Sequence, residues 1–422
     1  MIIKSASEVL SPKPAPNWLH WPQIKKLVSV FGNDQLRFVG GAVRDAVLGI
    51  EAGEIDAATT MPPDAVISLL EKAGIRAIPT GIAHGTITAV IDGKSFEITS
   101  LRRDTACDGR HAEVAFGTDW REDAARRDFT INAMYLSASG ELFDYFGGVA
   151  DARAGRVRFI GDAKIRVQED YLRILRFFRF YAAYGKGDAD MQALSACREF
   201  ANHINGISGE RIQHEMLKLL AAPAPFSALA LMQECGVFEQ VCDFAYQKPQ
   251  FAQQNIAFRC TNMQFRHTNM QAIDTLPDTI SRLAFLLLNA DIAATEALEK
   301  IAKRWKISNA LYKKLSLLIN NIDEISPAIS LAEQKHLIRK FGAKNFTEIV
   351  ILQSAIAPHE LYQAMLKFAQ NWPIPTFPIT GDDLIKAGIS TGKPLGDKLR
   401  TLEIIWENSD YSMNKEELLK FI

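Results

Sequence analysis

LRFVGGAVRDAVLG, Leu36 to Gly49, places a β-rich run, a glycine pair and a helical pattern in one line. The strand signal covers Arg37 to Val39, the turn falls at Gly40 and Gly41, and the helix runs from Ala42 to Leu48 and ends at Gly49. A glycine pair between strand and helix lets backbone approach a phosphate at the helix N-terminus, where free N–H groups and the helix dipole favour an anion. Arg44 adds a charged donor. Taken alone, the same residues also describe an ordinary strand-to-helix turn with an Arg44/Asp45 surface pair.

Beyond Gly49 come Glu54, Ile55 and Asp56, followed by AATT. Two carboxylates at i and i+2 on a strand point to one face, and together they can hold a hard divalent cation that bridges to substrate phosphates. Such a cation lowers the pKa of an attacking hydroxyl and neutralises charge on a leaving pyrophosphate. A pair of solvated strand-edge acids fits the pattern equally well.

Working outward, residues 23 to 150 mix short β-branched runs with glycine turns and helical patterns. Further strands are expected at Gly85 to Ile91, Ser95 to Thr99 and Leu142 to Tyr145, with a helix near Asp64 to Ala73. From about Lys164 the β signals fade, and helices are expected over 167–184, 208–221, 225–236, 278–289, 293–321 and 330–341. The segment 243–279, rich in Gln, Asn and Thr, reads as a long loop. The expected fold is α+β: a lead over 1–22, a mixed-sheet head over 23–150, a helical neck over 151–222, a helical body over 223–325 and a helical tail over 326–422.

At 422 residues, 48% hydrophobic and 23% charged, the composition excludes a disordered, collagen-like or coiled-coil chain. With 48 Lys plus Arg against 49 Asp plus Glu, an anionic partner must be bound by a local patch. That patch lies between 151 and 180, where eight basic residues face four acids. The five cysteines (Cys107, Cys197, Cys235, Cys242, Cys260) contain no CxxC pair, so a reducing cytoplasm is expected rather than a disulfide framework or thiolate zinc site. The N-terminus reads as no signal peptide, and no apolar stretch approaches the ~20 residues of a membrane span. No membrane partner is expected, and the chain gives no signal of oligomeric state.

The run GGAVRDAVLGxxxxExDxATT resembles the head of the DNA polymerase β nucleotidyltransferase superfamily, specifically the class II CCA-adding tRNA nucleotidyltransferase and bacterial poly(A) polymerase family. TGIAHGTIT, FEITSLRRD, DGRHAEVAFG and DAARRDFTINAMY follow in that family's order through residues 80–148. The family has Asp-x-Asp where this chain has Glu54 first; the extra methylene still reaches a metal. The resemblance implies that Glu54 and Asp56 hold Mg²⁺, with Glu97 on a facing strand as third carboxylate. It also implies that Arg127 contacts the nucleotide beside Gly41 and Arg44. Asn132 is left between a ribose contact and a helix cap. The stretch Arg102 to His111 resembles the family's flexible loop, and His111 has no His or Cys partner at metal-ligand spacing.

In VQEDYLRILRFFRF, Asp170 and Arg173 fall at i and i+3 of the expected helix, where they share a face and can brace one another. One acceptor beside several donors fits the Watson–Crick edges of cytosine and adenine. Guanine and uracil leave buried polar groups unpaired, at roughly 1–3 kcal/mol each. Glu169, Asp170 and Arg173 match the family's Glu-Asp-x-x-Arg motif, which implies a protein template for CTP and ATP, and the family's positions at Arg176 and Arg179 contact the nucleotide or its phosphates. Phe177, Phe178, Phe180 and Tyr181 read as core rather than base-stacking platforms. The likeness is strong over about 35–240 and thin after that.

The expected function is template-independent addition of CCA to the tRNA 3′ end from CTP and ATP, with the helical tail gripping the tRNA. The alternatives are a poly(A) polymerase, a partial CC- or A-adding enzyme, and a non-catalytic RNA-binding protein on the same fold.

Overall fold

The computed structural model describes residues 2–3, 15–32, 34–107, 112–246 and 270–422. It forms two compact units, Met1–Ala245 with Lys300–Ile307, and Tyr246–Glu299 with Ser308–Ile422. The α+β head followed by helices is the architecture found.

The head is built on β1 (Ile2–Ile3), β2 (Leu36–Val39), β3 (Asp56–Thr59), β4 (Arg76–Gly81), β5 (Thr86–Ile91), β6 (Lys94–Ser100), β7 (Arg102–Cys107), β8 (Ala112–Phe116), β9 (Met134–Leu136) and β10 (Leu142–Asp144). Eight strands make one sheet in the order β1-β10-β9-β2-β3-β6-β5-β4, and β7 and β8 form a separate ribbon. The sheet is mixed because β3 and β6 run parallel while its other neighbours are antiparallel. The tight β5–β6 hairpin turns on Asp92 (φ 48°) and Gly93 (φ 78°), the left-handed pair that a two-residue type I′ turn requires.

The helix Gly41–Leu48 buries Ala42, Val43, Ala46 and Val47 and packs on β2 and β9. Its N-terminus is fixed by Gly40 at φ 71°, ψ −128°, a conformation closed to residues with a Cβ. The helices Pro22–Phe31 and Pro63–Lys72 pack on one another, the latter also on β4 and β5, and bury Ile24, Leu27, Phe31, Val66 and Leu70. The helix Leu172–Tyr184 follows the head and packs on Gly209–Leu220 and Pro225–Glu234, with Phe177, Phe178 and Phe180 in the core. This is the core role read for these rings.

The helix expected over 167–184 is two, Ala163–Glu169 and Leu172–Tyr184, because Asp170 at φ −156°, ψ 108° is extended and breaks the run. The helix expected over 293–321 is likewise two, Ala294–Trp305 and Asn309–Asn320, with Lys306 at φ 55° between them. Arg102–Cys107, expected in a loop, is strand β7, and residues 108–111 lie outside the described residues. Of the expected loop 243–279, residues 247–269 lie outside the described residues, while Met270–Thr275 is a short 3-10 helix.

In the second unit, helices Thr279–Leu288, Asn309–Asn320 and Ala343–Ile356 pack together around Leu283, Leu315, Ile349 and Val350. Its end closes on a separate cluster of Ile379, Leu384, Leu402, Trp406 and Leu418. No helix among the described residues is long and apolar enough to cross a membrane.

Candidate active site

The turn at Gly40 and Gly41 opens into a cleft of ≈ 490 Å³ that also receives Asp56 and Arg127 from the head. Arg176, Arg179 and Tyr184 reach it from the helix Leu172–Tyr184, and Lys218 from Gly209–Leu220. Of the residues expected at the site, the fold brings Gly41, Arg44, Asp56, Arg127, Arg176 and Arg179 to this one cleft. Asp170 and Arg173 are not among the cleft's lining residues.

Asp56 opens β3 and is register partner to Glu97 on parallel β6, which sets both carboxylates on one face of the sheet. Burial, then the Glu97 charge, then the Glu54 charge push the Asp56 carboxyl up to about 6, with Arg127 pulling the other way. The strand pairing expected for Glu54 and Asp56 does not occur, since β3 begins at Asp56 and Glu54 sits exposed in the bend before it. Glu54 still acts on Asp56 electrostatically. Among the described residues, no three His, Cys, Asp or Glu side chains close into a ready-made metal cage. The donor set nonetheless suits a hard cation. It is all carboxylate oxygen, and burial, with the Glu97 and Glu54 charges added, keeps Asp56 protonated to a higher pH than an isolated Asp.

Each cleft arginine is held by a carboxylate. Arg44 donates through Nε to Asp45 at 3.0 Å, through Nη1 to Asn132 at 2.7 Å and through Nη2 to the Tyr184 hydroxyl at 2.6 Å. It is 6% exposed, a structural tie between the Gly41 helix and Tyr184 with little of its fork left for a phosphate. The Arg44/Asp45 pair of the alternative reading is present, with Arg44 buried and Asp45 half-buried rather than on the surface. Asn132 ends a 3-10 turn, is buried, and spends its amide oxygen on Arg44.

Arg127 follows from a local arrangement. Asp119 caps the helix Trp120–Ala125 through the N–H groups of Arg121 and Glu122, which places Asp123 one turn ahead of Arg126 and Arg127. Asp123 is 1% exposed and accepts from Arg126 Nη2 at 2.5 Å, Arg127 Nη2 at 3.2 Å and the Tyr135 hydroxyl at 2.6 Å. Burial alone would raise the Asp123 carboxyl; Arg127, Arg126 and Tyr135 outweigh it and hold it below the usual carboxylate range. Arg176 donates to Asp128 at 2.6 Å and Arg179 to buried Glu215 at 2.5 Å. Burial would likewise raise the Asp128 carboxyl, and Arg176 keeps it low.

Asp170 and Arg173 do not brace one another. Arg173 bonds Glu169 and donates to the Arg166 carbonyl at 2.9 Å. Asp170 accepts from Arg211 at 2.8 Å and from the Leu172 N–H at 3.1 Å. The helix break at Asp170 is the cause, because i,i+3 neighbours share a face only on a continuous helix. Asp123, Asp128, Tyr184 and Glu215 are the site residues that sequence reasoning did not assign. Asp123 was legible as an acid three and four residues before Arg126 and Arg127; Glu215 has no local signal at all.

A mixed sheet carrying a glycine turn, an acidic strand pair and an arginine-lined cleft is the frame of a nucleotidyltransferase head. Residues 36–158 match the family described as “Poly A polymerase head domain”, and residues 190–247 match “Probable RNA and SrmB- binding site of polymerase A”. The chain is 37% identical over 406 residues to CCA tRNA nucleotidyltransferase 1, mitochondrial, of Mus musculus, a match covering 94% of this chain and 89% of that protein. It is 30% identical over 371 residues to the CCA-adding enzyme of Levilactobacillus brevis, covering 87% and 88%. The chain belongs to the CCA-adding tRNA nucleotidyltransferase family. Its fold is that of the Bacillus stearothermophilus CCA-adding enzyme solved in complex with CTP, with TM-score 0.76, 24% identity and coverage of 95% and 97%. A Thermotoga maritima CCA-adding enzyme complexed with tRNA_CCA superposes with TM-score 0.66 at 20% identity, covering 100% and 98%.

Proposed function

We propose that this chain adds CCA to the 3′ end of tRNA from CTP and ATP, without a nucleic-acid template and with release of pyrophosphate. The supporting observation is the cleft in which a glycine-opened helix start, Asp56 and arginines meet, in a chain alike over most of its length to CCA-adding enzymes. The nucleophile is the RNA 3′ hydroxyl, and the leaving group is the pyrophosphate of the incoming nucleotide, so no covalent enzyme intermediate is needed.

The nucleotidyltransferase family uses a divalent metal, and we assign Mg²⁺ to Asp56 with Glu54 and Glu97. Mg²⁺ is held well by one or two carboxylates plus substrate phosphates, and when bound it supplies charge neutralisation on the attacking and leaving oxygens. The chain's own groups do the rest. Gly40 and Gly41 give the triphosphate close access to backbone N–H groups at the helix start, and Arg127, fixed by Asp123 and Tyr135, presents a guanidinium to it. Arg176 and Arg179 line the same cleft, and Arg44 positions the Gly41 helix. Asp170 and Arg173 select the base, Arg173 braced by Glu169 and Asp170 turning from its pair with Arg211. The head over 23–150 and neck over 151–222 carry this chemistry, the body over 223–325 links them onward, and the tail over 326–422 grips the tRNA.

A cytoplasmic site of action fits free, buried Cys197, Cys235 and Cys242, and cell fractionation tests it. The activity is tested with labelled CTP, ATP, UTP or GTP and Mg²⁺ on tRNAs ending at the discriminator base, after CC and after CCA. Addition of CC, then one A, then arrest is the expected result. Unlimited A on any RNA end would make it a poly(A) polymerase, addition of only CC or only A would make it a partial enzyme, and tRNA binding without addition would make it a non-catalytic RNA-binding protein.

A further inference from the structure

The charges lining the cleft do not balance residue by residue. Arg44 is paired with Asp45, Arg127 with Asp123, Arg176 with Asp128 and Arg179 with Glu215. Each of these guanidiniums is therefore already tied up in an ion pair, Arg127 sharing Asp123 with Arg126, and Arg176 reaching Glu215 beside Arg179. Lys218 lines the same cleft and, among the described residues, has no ion-pair or hydrogen-bond partner. Its helix, Gly209–Leu220, buries Ile212, Glu215, Met216, Leu219 and Leu220, which leaves Lys218 exposed at the rim. Glu215 stands one turn earlier, yet its carboxylate is taken by Arg179 at 2.5 Å and faced by Arg176 at 3.9 Å, so it is not available to the lysine.

From this arrangement we infer that Lys218 is a phosphate-binding residue of the cleft, supplying an unpaired ammonium beside the four arginines that are held in ion pairs. A flexible ammonium with three free donors suits that task, because it can follow an anion without breaking an internal pair. The inference rests on the function proposed above and deepens it. The phosphate belongs either to the incoming nucleoside triphosphate or to the backbone near the RNA 3′ end. The opposing explanation is a lysine that only faces the negative pole of its own helix, in whose last turn it lies.

The test uses the full chain with Mg²⁺ and three proteins: wild type, Lys218→Met and Lys218→Arg. Equilibrium binding of CTP and of tRNA ending at the discriminator base is measured against salt, alongside steady-state CTP incorporation. Lys218→Met is expected to weaken one of the two ligands roughly tenfold, and Lys218→Arg to restore most of the loss. If the phosphate is the nucleotide's, the KM and Kd for CTP rise while tRNA binding keeps its salt slope. If it is the RNA's, tRNA affinity falls and the log–log salt slope shrinks by about 0.7–0.9, the release of one phosphate's counterions. Unchanged affinities for both ligands, or a change in thermal midpoint alone, would overturn the inference. Wild-type protein that binds both ligands but incorporates nothing would instead sink the proposed function, while the binding measurements would still decide the role of Lys218.

Discussion

Asp56 and Glu97 are register partners on parallel β3 and β6, and the Glu97 charge is second only to burial in lifting the Asp56 carboxyl to about 6. Because the folded value lies above the unfolded one near 3.8, the stabilising contribution is fully present below about pH 3.8 and is lost as pH rises through about 6. Without divalent cation, Asp56→Asn should therefore be more stable than wild type at pH 8, by on the order of 2 kcal/mol, with little difference at pH 4. The same variant should lose more than about a hundredfold in CMP incorporation. Melts in chelator at the two pH values, with a single-turnover assay, check both; parallel pH dependence in the two proteins would contradict the coupling.

Tyr135 bridges Asp123 and Arg127, donating to the acid at 2.6 Å and accepting from Arg127 Nε at 3.3 Å. Tyr135→Phe should cost about 1 kcal/mol of stability and raise KM for CTP severalfold with kcat less affected, as Arg127 loses a restraint. Asp123→Ala leaves two guanidiniums without their acid and should cost about 3–5 kcal/mol. Denaturant midpoints and steady-state kinetics measure these effects. A Phe variant with unchanged KM would show that Arg127 does not need the hydroxyl.

Glu169 holds Arg173 across the break that separates their helices. Asp170→Ala should relax the choice of CTP and ATP over UTP and GTP by roughly 1–3 kcal/mol, with tRNA affinity nearly intact. Glu169→Gln should relax it less, since the amide still accepts one hydrogen bond from Arg173. Competition between the four nucleotides decides the matter, and preserved preference in Asp170→Ala would remove the base-reading role.

Gly148 begins the helix Gly148–Ala154 where an added Cβ would lie 2.2 Å from the Thr130 carbonyl oxygen. That carbonyl belongs to the 3-10 turn ending at Asn132, which in turn holds Arg44. Gly148→Ala should cost about 1–3 kcal/mol. Gly117→Ala, where a Cβ meets open space, should be near neutral. Urea midpoints of the two variants make the comparison.

The sequence by itself determined the glycine turn, the acid at Asp56, the α+β head and the run of Arg173, Arg176 and Arg179 on one helix. These depend on local physics: a positive φ at Gly40, apolar periodicity, and basic residues repeated at helical spacing. The strand ends near Asp92 and Gly93 were legible for the same reason, since the hairpin turn is specified by the two residues that form it. What only the tertiary structure decided were partners from distant parts of the chain. Tyr184 meets Arg44, and Glu215 meets Arg179. The Asp170/Arg173 brace shows the limit most directly. Spacing alone assumes a continuous helix, but Asp170 leaves the helical conformation, accepts the Leu172 N–H and pairs with Arg211, 41 residues on. A carboxylate goes to whichever donors the fold brings within hydrogen-bond reach, and that reach is fixed by the packing of whole elements rather than by the residues beside it.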